Sequence, residues 1–415
     1  MHVILVTLGT DGDVFPFIAL GDRLRSRGHR VTLVANENFG NLATRHAFEF
    51  ASLVSNDDTR RLLENPDVWH PVRSALVGAR WARAALAQQH ALIACLVHQP
   101  DTVLVAYPPV VAARLAQVQF QRPLVSLVPM PWMILSDASP PALGNLLKYP
   151  CLGWPGVRRA LWRLAEFANN LLIGREVNRI ARRIGLPPIR QLYRWCLSPQ
   201  RIIGLFPDWY APPQPDWPTQ TRLAGFALYD GGRGQALPPE LIDFCRSGSP
   251  PMAITFGTGM LHGSRLFQHA VQACTQLGQR AILLTKHRAQ LPDELPPTMR
   301  HSAYAPFGQL LSLCAAVVHH GGIGTTAQAL AAGVPQVILP MAWDQPDNAD
   351  RVQRLDVGKS LSPDSNAAKL ARTIESVMTP DTAARCRSIA GRFGPQDPLE
   401  LAASWVEEIA AQMRK

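Results

Sequence analysis

The sequence predicts an α/β protein made of two doubly wound domains that face each other across a cleft. At 415 residues the chain is too long for one ordinary hydrophobic core, so two domains are expected. A pattern of apolar strand, glycine-containing turn and amphipathic helix opens the chain, and a similar pattern starts again at Met252. The region 200–240 between them is rich in proline and glycine, as expected of a connection between domains.

The first unit of the amino-terminal half is a strand, a turn and a helix. Residues 3–8 form an apolar run that only Thr7 interrupts, which is typical of a parallel strand covered on both faces. Pro16 stands where a helix can begin, because the first helical residues need no N–H donor, and Gly28 supplies a stop. The next strand is expected at 31–35. A right-handed crossover then places the turn at 9–13 at the carboxyl edge of the sheet, where ligands bind in such folds.

The remaining elements follow the same two periodicities. Long helices are expected at about 72–98 and 156–185. Further strands are expected at 102–106, 123–128, 252–256, 281–285, 315–319 and 336–339.

Composition and charge exclude several classes of protein. With 47% hydrophobic and 17% charged residues, the chain is expected to fold as a globular protein. No apolar run approaches the ~20 residues of a membrane span, and the first apolar run lacks the flanks of a signal peptide. The seven cysteines are scattered without a CxxC pair, so neither a zinc site nor a disulfide framework is expected, and the reducing cytoplasm is the expected compartment. The net charge of +10 is compatible with an anionic membrane surface, an anionic substrate or plain solubility, and no nucleic-acid-binding motif accompanies it.

The strongest functional signal is the segment 317–330, VVHHGGIGTTAQAL. A strand ends at His320, glycines allow close approach of the backbone, and a helix begins near Thr325. The free N–H groups and the positive dipole end of such a helix suit a diphosphate. The expected donors to this anion are the side chains of His320, Thr325 and Thr326 and the backbone at Gly321, Gly322 and Gly324. The alternative is a glycine-rich turn that serves tight packing alone.

Three further loops follow strands of the same sheet and are expected at the same edge. Asp344 and Gln345 follow the strand at 336–339 and can hydrogen-bond sugar hydroxyls. Thr258 lies in a glycine-rich turn and offers a hydroxyl. Tyr304 and Ala305 offer an aromatic face and a backbone edge to a nucleotide base, although a tyrosine in this position is also compatible with ordinary core packing.

These segments together resemble the donor signature of family 1 glycosyltransferases, which includes plant, antibiotic and sterol glycosyltransferases. The turn after His320 and the pair Asp344-Gln345 carry the resemblance, and the segment 9–16, GTDGDVFP, is similar to the bacterial and sterol branches. The resemblance implies the GT-B fold, in which two Rossmann-like domains face each other across a cleft. Longer stretches that are similar to the rhamnosyltransferases of rhamnolipid biosynthesis are 12–20, 205–214 and 329–339.

The resemblance also implies an inverting transfer of a sugar from a nucleotide donor, with neither a cofactor nor an obligatory metal. Asp13 stands where many members carry a catalytic histidine, so it is expected to take the proton of the acceptor hydroxyl. A helix N-cap is the alternative role for Asp13. Gln328 stands where many relatives carry a glutamate that binds the ribose hydroxyls, and this change leaves the nucleotide open between dTDP and UDP.

The acceptor side is expected to be apolar. Eight of the ten tryptophans lie before residue 220, and with the segment 129–135 they can line a pocket for acyl chains. Ordinary core packing is the alternative. The acceptor-binding residues expected there are Phe15, Trp132 and Met133. Seven arginines between 158 and 183 point to contact with anionic lipid headgroups at a membrane surface or with an acceptor carboxylate.

We therefore expect an acceptor-binding domain at 1–215, a nucleotide-sugar-binding domain at 216–395, and a terminal helix at 396–415 that packs back on the first domain. The predicted reaction moves rhamnose from dTDP-rhamnose to the hydroxyl of a β-hydroxy-fatty-acid dimer, in contact with a membrane or with the enzyme that makes the acceptor. One alternative is a glucosyltransferase that uses UDP-glucose on a lipid, a sterol or another hydrophobic acceptor. The other is a non-hydrolysing nucleotide-sugar epimerase, which shares the two-domain architecture.

Overall fold

Two parallel β-sheets organise the protein. The computed structural model describes residues 1–70, 73–142, 154–229, 231 and 236–412. The strands of the first sheet are β1 (His2–Val6), β2 (Arg30–Asn36), β3 (Glu49–Val54), β4 (Thr102–Ala106), β5 (Leu124–Val128), β6 (Arg201–Gly204) and β7 (Thr221–Leu223). Those of the second are β8 (Met252–Thr255), β9 (Ala281–Leu284), β10 (Met299–Ser302), β11 (Ala316–His319), β12 (Gln336–Ile338) and β13 (Gly358–Ser360).

Helices connect the strands of each sheet. In the amino-terminal half they are α1 (Asp11–Ser26), α2 (Gly40–Arg45), α3 (Asn56–Glu64), α4 (Arg73–Leu96), α5 (Val111–Phe120), α6 (Pro155–Leu172), α7 (Gly174–Arg183) and α8 (Leu192–Cys196). In the carboxyl-terminal half they are α9 (Pro239–Arg246), α10 (Ser264–Gln276), α11 (Phe307–Leu310), α12 (Ile323–Ala332), α13 (Gln345–Arg354), α14 (Ala367–Val377), α15 (Pro380–Ala390) and α16 (Pro398–Gln412). No described helix is long and apolar enough to cross a membrane.

Both sheets have the doubly wound topology, which confirms the predicted fold class. The first has the order β3-β2-β1-β4-β5-β6-β7 and the second β10-β9-β8-β11-β12-β13, and their strand pairs are parallel. Strand order reverses between β1 and β4 in the first sheet and between β8 and β11 in the second. Ligands of such sheets bind outside the carboxyl ends of the strands at this point of reversal. The loops after these four strands are therefore the expected positions of the site.

The first sheet extends further along the chain than the sequence pattern indicates. Strand β7 pairs with β6 at the edge of the sheet, so this sheet continues past the predicted domain boundary at residue 215. The sequence did not predict β7 because its three residues, Thr221, Arg222 and Leu223, form no apolar run and none of them is buried. The proline- and glycine-rich stretch thus contributes an edge strand before it connects the domains.

Helix α1 begins earlier than the sequence pattern predicts. Thr10 is its N-cap and Asp11 its first residue, while Pro16 lies inside the helix. The prediction of a helix start at Pro16 was therefore wrong. Asp13, in the first turn, accepts the backbone N–H of Thr10 at 2.9 Å, and such a side-chain bond satisfies a donor that the start of a helix leaves unpaired.

The chain crosses between the two halves twice, and the two crossings touch. Helix α16, after the second sheet, packs on α1, where Arg27 contacts Glu400 at 2.6 Å and Glu407 at 2.8 Å. The segment that leaves the first sheet passes Gly225 (φ +108°), where an added Cβ would lie 3.1 Å from Cγ of Pro398 at the start of α16. The outgoing and returning passages therefore run side by side.

Candidate active site

Asp13 lies at the carboxyl edge of the first sheet with both carboxylate oxygens held. Oδ2 accepts the backbone N–H of Thr10 at 2.9 Å, and Oδ1 accepts the hydroxyl of Tyr107 at 2.9 Å. Burial raises the pKa of Asp13, and the hydrogen bonds from Thr10 and Tyr107 offset part of that rise. The carboxylate is thus a stronger base than an exposed aspartate, and its orientation is fixed. Asp13 is a first-turn residue of α1, and Thr10 takes the N-cap position.

Tyr107 is a site residue that the sequence analysis missed. It directly follows β4, the neighbour of β1 at the point where strand order reverses, and its side chain is buried. Burial raises the pKa of Tyr107 well above its usual range, and the adjacent Asp13 raises it further, so the phenol stays protonated and donates. Its place at the carboxyl end of a predicted strand was the available signal, but a tyrosine after an apolar run also suits ordinary core packing.

Gly9 makes room for the Asp13 carboxylate, and an alanine there is expected to displace it. Gly9 has φ +122°, and an added Cβ would lie 2.3 Å from Oδ2 of Asp13. We expect Gly9→Ala to lower kcat by roughly 10- to 100-fold, because small displacements of a reacting group cost about that much. Steady-state kinetics measure the change.

Gly12→Ala is the matched control for Gly9→Ala. Gly12 lies in the same turn, and apart from its chain neighbours and the backbone of its own helix, an added Cβ at Gly12 would meet no atom of the described residues within 4 Å. We expect its kcat to stay within about twofold of the wild-type value. Equal losses in the two variants would contradict the assigned role of Gly9.

Across the cleft, the turn after β11 is shaped by glycine. Gly321 has φ +93°, and an added Cβ would lie 2.7 Å from Cγ2 of Ile338 and 3.1 Å from the carbonyl oxygen of Gln345. Helix α12 follows, with Gly322 as its N-cap. The N–H of Thr326 makes the first bond of the helix, to the carbonyl of Gly322 at 3.0 Å. Ahead of it, the N–H of Ile323 bonds the carboxylate of Asp344, whereas those of Gly324 and Thr325 are groups that a helix start leaves for an anion.

Two adjacent histidines have different positions in this turn. His319 is fully buried, with Nδ1 accepting the N–H of Gly321 at 3.1 Å and Nε2 3.0 Å from Oε1 of Gln336, so it holds the backbone of the turn. His320 lies between two glycine loops, since an added Cβ at Gly257 would be 3.0 Å from its Nε2. Its Nδ1 is buried without a hydrogen bond to any described residue. Burial lowers the pKa of His320 to about 4, so the ring is neutral at pH 7.

Asp344 links the start of α12 to α13. Its Oδ2 accepts the N–H of Ile323 at 3.1 Å and the amide of Asn348 at 2.7 Å. Burial raises the pKa of Asp344 to about 7, and the charge of Asp13 contributes to the rise. Asp13 belongs to the first domain and Asp344 to the second. The two domains approach each other here, since an added Cβ at Gly259, after β8, would lie 2.8 Å from Cγ2 of Thr10.

The side-chain oxygen of Gln345 makes hydrogen bonds within its own loop. Its Oε1 accepts the N–H groups of Met341 at 2.8 Å and Ala342 at 3.2 Å. A bond from Gln345 to a sugar hydroxyl, as the sequence predicts, therefore rests on its Nε2 as a donor.

The remaining donor-side residues lie around α12 at varying depth. The side chains of Thr325 and Gln328 are almost fully buried, and that of Thr326 is fully buried, with an Oγ1 that bonds no described residue. An added Cβ at Gly308 would lie 3.7 Å from Oε1 of Gln328, so Gln328 lies beside α11, the helix that follows the loop with Tyr304 and Ala305. Ala305 is buried, Tyr304 is 37% exposed, and Thr258 is exposed in the turn after β8.

The three residues predicted to bind the acceptor are partly or fully buried against other side chains. Phe15 packs edge-to-face on Tyr229 with ring centroids 5.5 Å apart. Trp132 is partly buried against Trp162 at 5.8 Å, and Met133 is buried. A cavity of about 210 Å³ lies between the domains near this region, lined from one side by Ile134 and Trp209 and from the other by Arg351.

Comparison with known proteins identifies the family. The chain matches the N-terminal domain of family 28 glycosyltransferases over residues 3–121 and the C-terminal domain of erythromycin biosynthesis protein CIII-like proteins over residues 271–393. O-mycaminosyltylonolide 6-deoxyallosyltransferase of Streptomyces fradiae is 30% identical, with 99% of this chain and 98% of that protein covered. The chain belongs to family 1 of the GT-B glycosyltransferases.

Two further comparisons extend this assignment. A sterol 3-beta-glucosyltransferase of Arabidopsis thaliana is 27% identical, and the match covers 88% of this chain and 58% of that protein. The crystal structure of the glycosyltransferase VinC in complex with dTDP has the same fold, with a TM-score of 0.71, 18% identity, and 99% of this chain and 100% of that chain covered. This glycosyltransferase thus has the GT-B architecture of two Rossmann-like domains.

Proposed function

We propose that this glycosyltransferase uses Asp13 as the base and the turn at the start of α12 as the site of the departing diphosphate. The observation that carries the proposal is the approach of the two domains at this edge, where Oδ2 of Asp11, beside Asp13 in the first turn of α1, lies 3.4 Å from Nζ of Lys286 after β9. In agreement with this approach, the charge of Asp13 helps to raise the pKa of Asp344, which accepts the N–H of Ile323 at the start of α12. A base from one domain therefore lies near the anion-binding turn of the other.

The proposed step is a direct displacement at the anomeric carbon. As the acceptor oxygen forms its bond to that carbon, Asp13 takes the hydroxyl proton. The bond from the anomeric carbon to the diphosphate oxygen breaks, and its electron pair leaves with the nucleoside diphosphate. Because the acceptor approaches from the side of the first domain while the diphosphate leaves toward the second, the configuration at the anomeric carbon inverts.

The turn after β11 contains hydrogen-bond donors that can stabilise the negative charge of the leaving diphosphate. The N–H groups of Gly324 and Thr325, in the first turn of α12, and the positive dipole end of the helix stabilise a negative charge that grows as the bond breaks. Nδ1 of His320, which bonds no residue in the described part of the chain, and the hydroxyl of Thr325 can add hydrogen bonds. The proposed step uses no metal, so full activity in the presence of EDTA is its expected result.

In this mechanism Tyr107 positions Asp13, and its removal is expected to change the pH profile. The active form of Asp13 is the carboxylate, so kcat falls as the pH drops through the pKa of Asp13. Tyr107→Phe removes a hydrogen bond that stabilises the carboxylate and so raises that pKa. We expect the acidic limb of the kcat profile to move up by about one pH unit. The profile of kcat between pH 4 and 9 measures it.

A purely structural role for Tyr107 predicts a different outcome. Loss of packing would lower kcat or the melting temperature without moving the acidic limb. An unchanged limb in a folded Tyr107→Phe variant would therefore remove the positioning role.

For the substrates, we propose rhamnose transfer from dTDP-rhamnose to the hydroxyl of a β-hydroxy-fatty-acid dimer. Support comes from the stretches 12–20, 205–214 and 329–339, which are similar to rhamnosyltransferases of rhamnolipid biosynthesis. The relative from Streptomyces fradiae is named for transfer of a 6-deoxyallosyl group, and rhamnose is likewise a 6-deoxyhexose. The solved VinC complex holds dTDP on the same fold.

A glucosyltransferase acting on a lipid or sterol is the second candidate. It is favoured by the 27% identity to a sterol 3-beta-glucosyltransferase. Membership of a glycosyltransferase family favours either transfer reaction over the epimerase alternative.

A paired donor assay separates the two candidates. Purified enzyme and a β-hydroxydecanoyl-β-hydroxydecanoate acceptor are incubated with dTDP-rhamnose or UDP-glucose, and the products are read by mass spectrometry. A product that gains a deoxyhexose, with NMR showing an inverted anomeric centre, is the expected result. Product from UDP-glucose alone would replace the leading candidate with the second.

A further inference from the structure

Helix α6 exposes an apolar stripe along one face. Leu164, Phe167 and Leu171 are 63%, 66% and 58% exposed, and Trp154, directly before the helix, is 69% exposed. These four make up most of the large apolar side chains that the described part of the chain exposes. The spacing of i, i+3 and i+7 places the three helical residues on one side. Such a contiguous exposed apolar stripe marks a surface that another body covers.

The same face continues into α7 as a row of arginines. Ile173, between the two helices, has φ −105° and ψ −32°, so the helical spacing is nearly maintained across the junction. Leu171 is then followed at four-residue steps by Arg175 and Arg179, both exposed, and next by exposed Arg182. The α6–α7 ridge is defined here as Leu164, Phe167, Leu171, Arg175, Arg179 and Arg182.

Positive charge dominates around the ridge. Residues 154–190 contain eight arginines, two glutamates and no lysine or aspartate, a net charge of +6 within a chain whose total is +10. One of the glutamates, Glu176, pairs with Arg179 at 2.7 Å. An apolar stripe beside a strongly basic row complements a surface that is apolar inside and anionic at its face.

We propose that the α6–α7 ridge docks this enzyme on the surface of an anionic lipid bilayer. Leu164, Phe167 and Leu171 enter the boundary between headgroups and acyl chains, while the arginines contact lipid phosphates and extend their apolar stems along the stripe. The helix lies in the plane of the surface.

Charge argues against a second copy of this chain as the occupant. A symmetric dimer through the ridge would bring two regions of net charge +6 together, and this repulsion opposes association. A protein partner would need an acidic groove of matching length, whereas an anionic bilayer supplies negative charge at every position.

The opposite side of α6 faces the acceptor region of the first domain. Trp162 packs against Trp132 at 5.8 Å and donates to the carbonyl of Pro141 at 3.1 Å. A docked ridge therefore holds the acceptor side of the cleft near the lipid. This advantage rests on the proposed lipid acceptor, whereas docking itself does not depend on the acceptor or on turnover.

The test measures vesicle binding of the full chain by co-sedimentation. We compare vesicles of phosphatidylcholine with vesicles that contain 30% phosphatidylglycerol, a composition chosen so that about one lipid in three is anionic. We expect binding to the anionic vesicles only, and weaker binding as salt rises. Replacing Arg175, Arg179 and Arg182 by Gln is expected to lower the partition coefficient roughly a hundredfold.

The apolar half of the ridge has its own matched variants. Phe167→Ser alone, and Leu164→Ser, Phe167→Ser and Leu171→Ser together, are expected to lower the partition coefficient by about tenfold or more. Leu228→Ser is the control, because Leu228 is also an exposed apolar residue, 44% exposed, but lies outside the ridge. A melting curve for each variant shows that it is folded, and the single Phe167 variant keeps the test valid if the triple variant does not fold.

Three outcomes would overturn the proposal. They are equal binding to the two kinds of vesicle, unchanged binding of the ridge variants, and a wild-type dimer that the Phe167 variant converts to monomer without any vesicle binding. The last result would assign the ridge to a second copy. Failure of the donor assay would leave the vesicle result standing, so the two proposals are tested separately.

Discussion

Asp13→Asn is expected to lower kcat about a thousandfold, while KM for the donor stays within about twofold. The amide oxygen can still accept the N–H of Thr10, which Asp13 binds at 2.9 Å, so the turn keeps its shape. The amide cannot take a proton from the acceptor hydroxyl. Initial rates at saturating acceptor, with the donor varied, separate the two parameters.

The melting temperature of Asp13→Asn shows whether its loss of kcat comes from unfolding. Burial raises the pKa of Asp13 in the folded enzyme, so wild-type stability contains a contribution that is present at low pH and is lost as the pH rises through that raised pKa. Asparagine has no such titration, and we expect its melting temperature at pH 8 to equal or exceed that of the wild type. Full turnover in this folded variant would exclude Asp13 as the base.

His320→Ala is expected to lower kcat/KM for the donor about a hundredfold. Nδ1 of the ring is buried and bonds no described residue, and alanine removes a hydrogen bond that strengthens as charge builds on the diphosphate. Because burial holds the pKa of His320 near 4, the ring is neutral across the assay range. The loss is therefore expected to be the same at pH 6.5 and pH 8.5. Kinetics with varied donor at the two pH values measure it.

A second histidine of the same domain, His269, provides the control for His320→Ala. It shows whether a loss of kcat/KM is specific to the glycine turn or follows from a general loss of stability. His269→Ala removes an imidazole whose Nδ1 lies 3.0 Å from the carbonyl of Ser365, on α10 and away from the glycine turn. We expect it to lower the melting temperature but to leave kcat/KM within about threefold. A pH-dependent loss in His320→Ala, or an equal loss in both variants, would contradict the proposed role of His320.

The sequence predicted most of the buried strands, because a continuous apolar run bounded by turn residues is typical of a strand covered on both faces. It did not predict β6, which is buried but has only two large apolar residues. The runs at 102–106 and 281–285 became β4 and β9 almost residue for residue. Edge strands carry no such run: β10 is Met299–Ser302, and only its first residue is buried. Strands of this kind form because a neighbouring strand offers hydrogen bonds, and a single sequence does not record that neighbour.

At the site, the sequence indicated the turns more clearly than the pairings between side chains. The sequence predicts His320 and Gly321 as site residues because a glycine-rich turn between a strand and a helix is typical of an anion-binding site. The Tyr107–Asp13 bond joins residues 94 positions apart, and only the parallel pairing of β1 with β4 brings them together. Likewise, nothing in the local sequence shows that Oε1 of Gln345 bonds within its own loop.

The contact between Gly225 and Pro398 constrains how the cleft can open. Two connections far apart would resist rotation of one domain relative to the other. Two adjacent connections act as one hinge, so the domains can open by rotation about it. Access for the donor and exit for the spent nucleotide are then governed at a point far from the chemistry. The absence of a side chain on residue 225 lets the two passages lie that close.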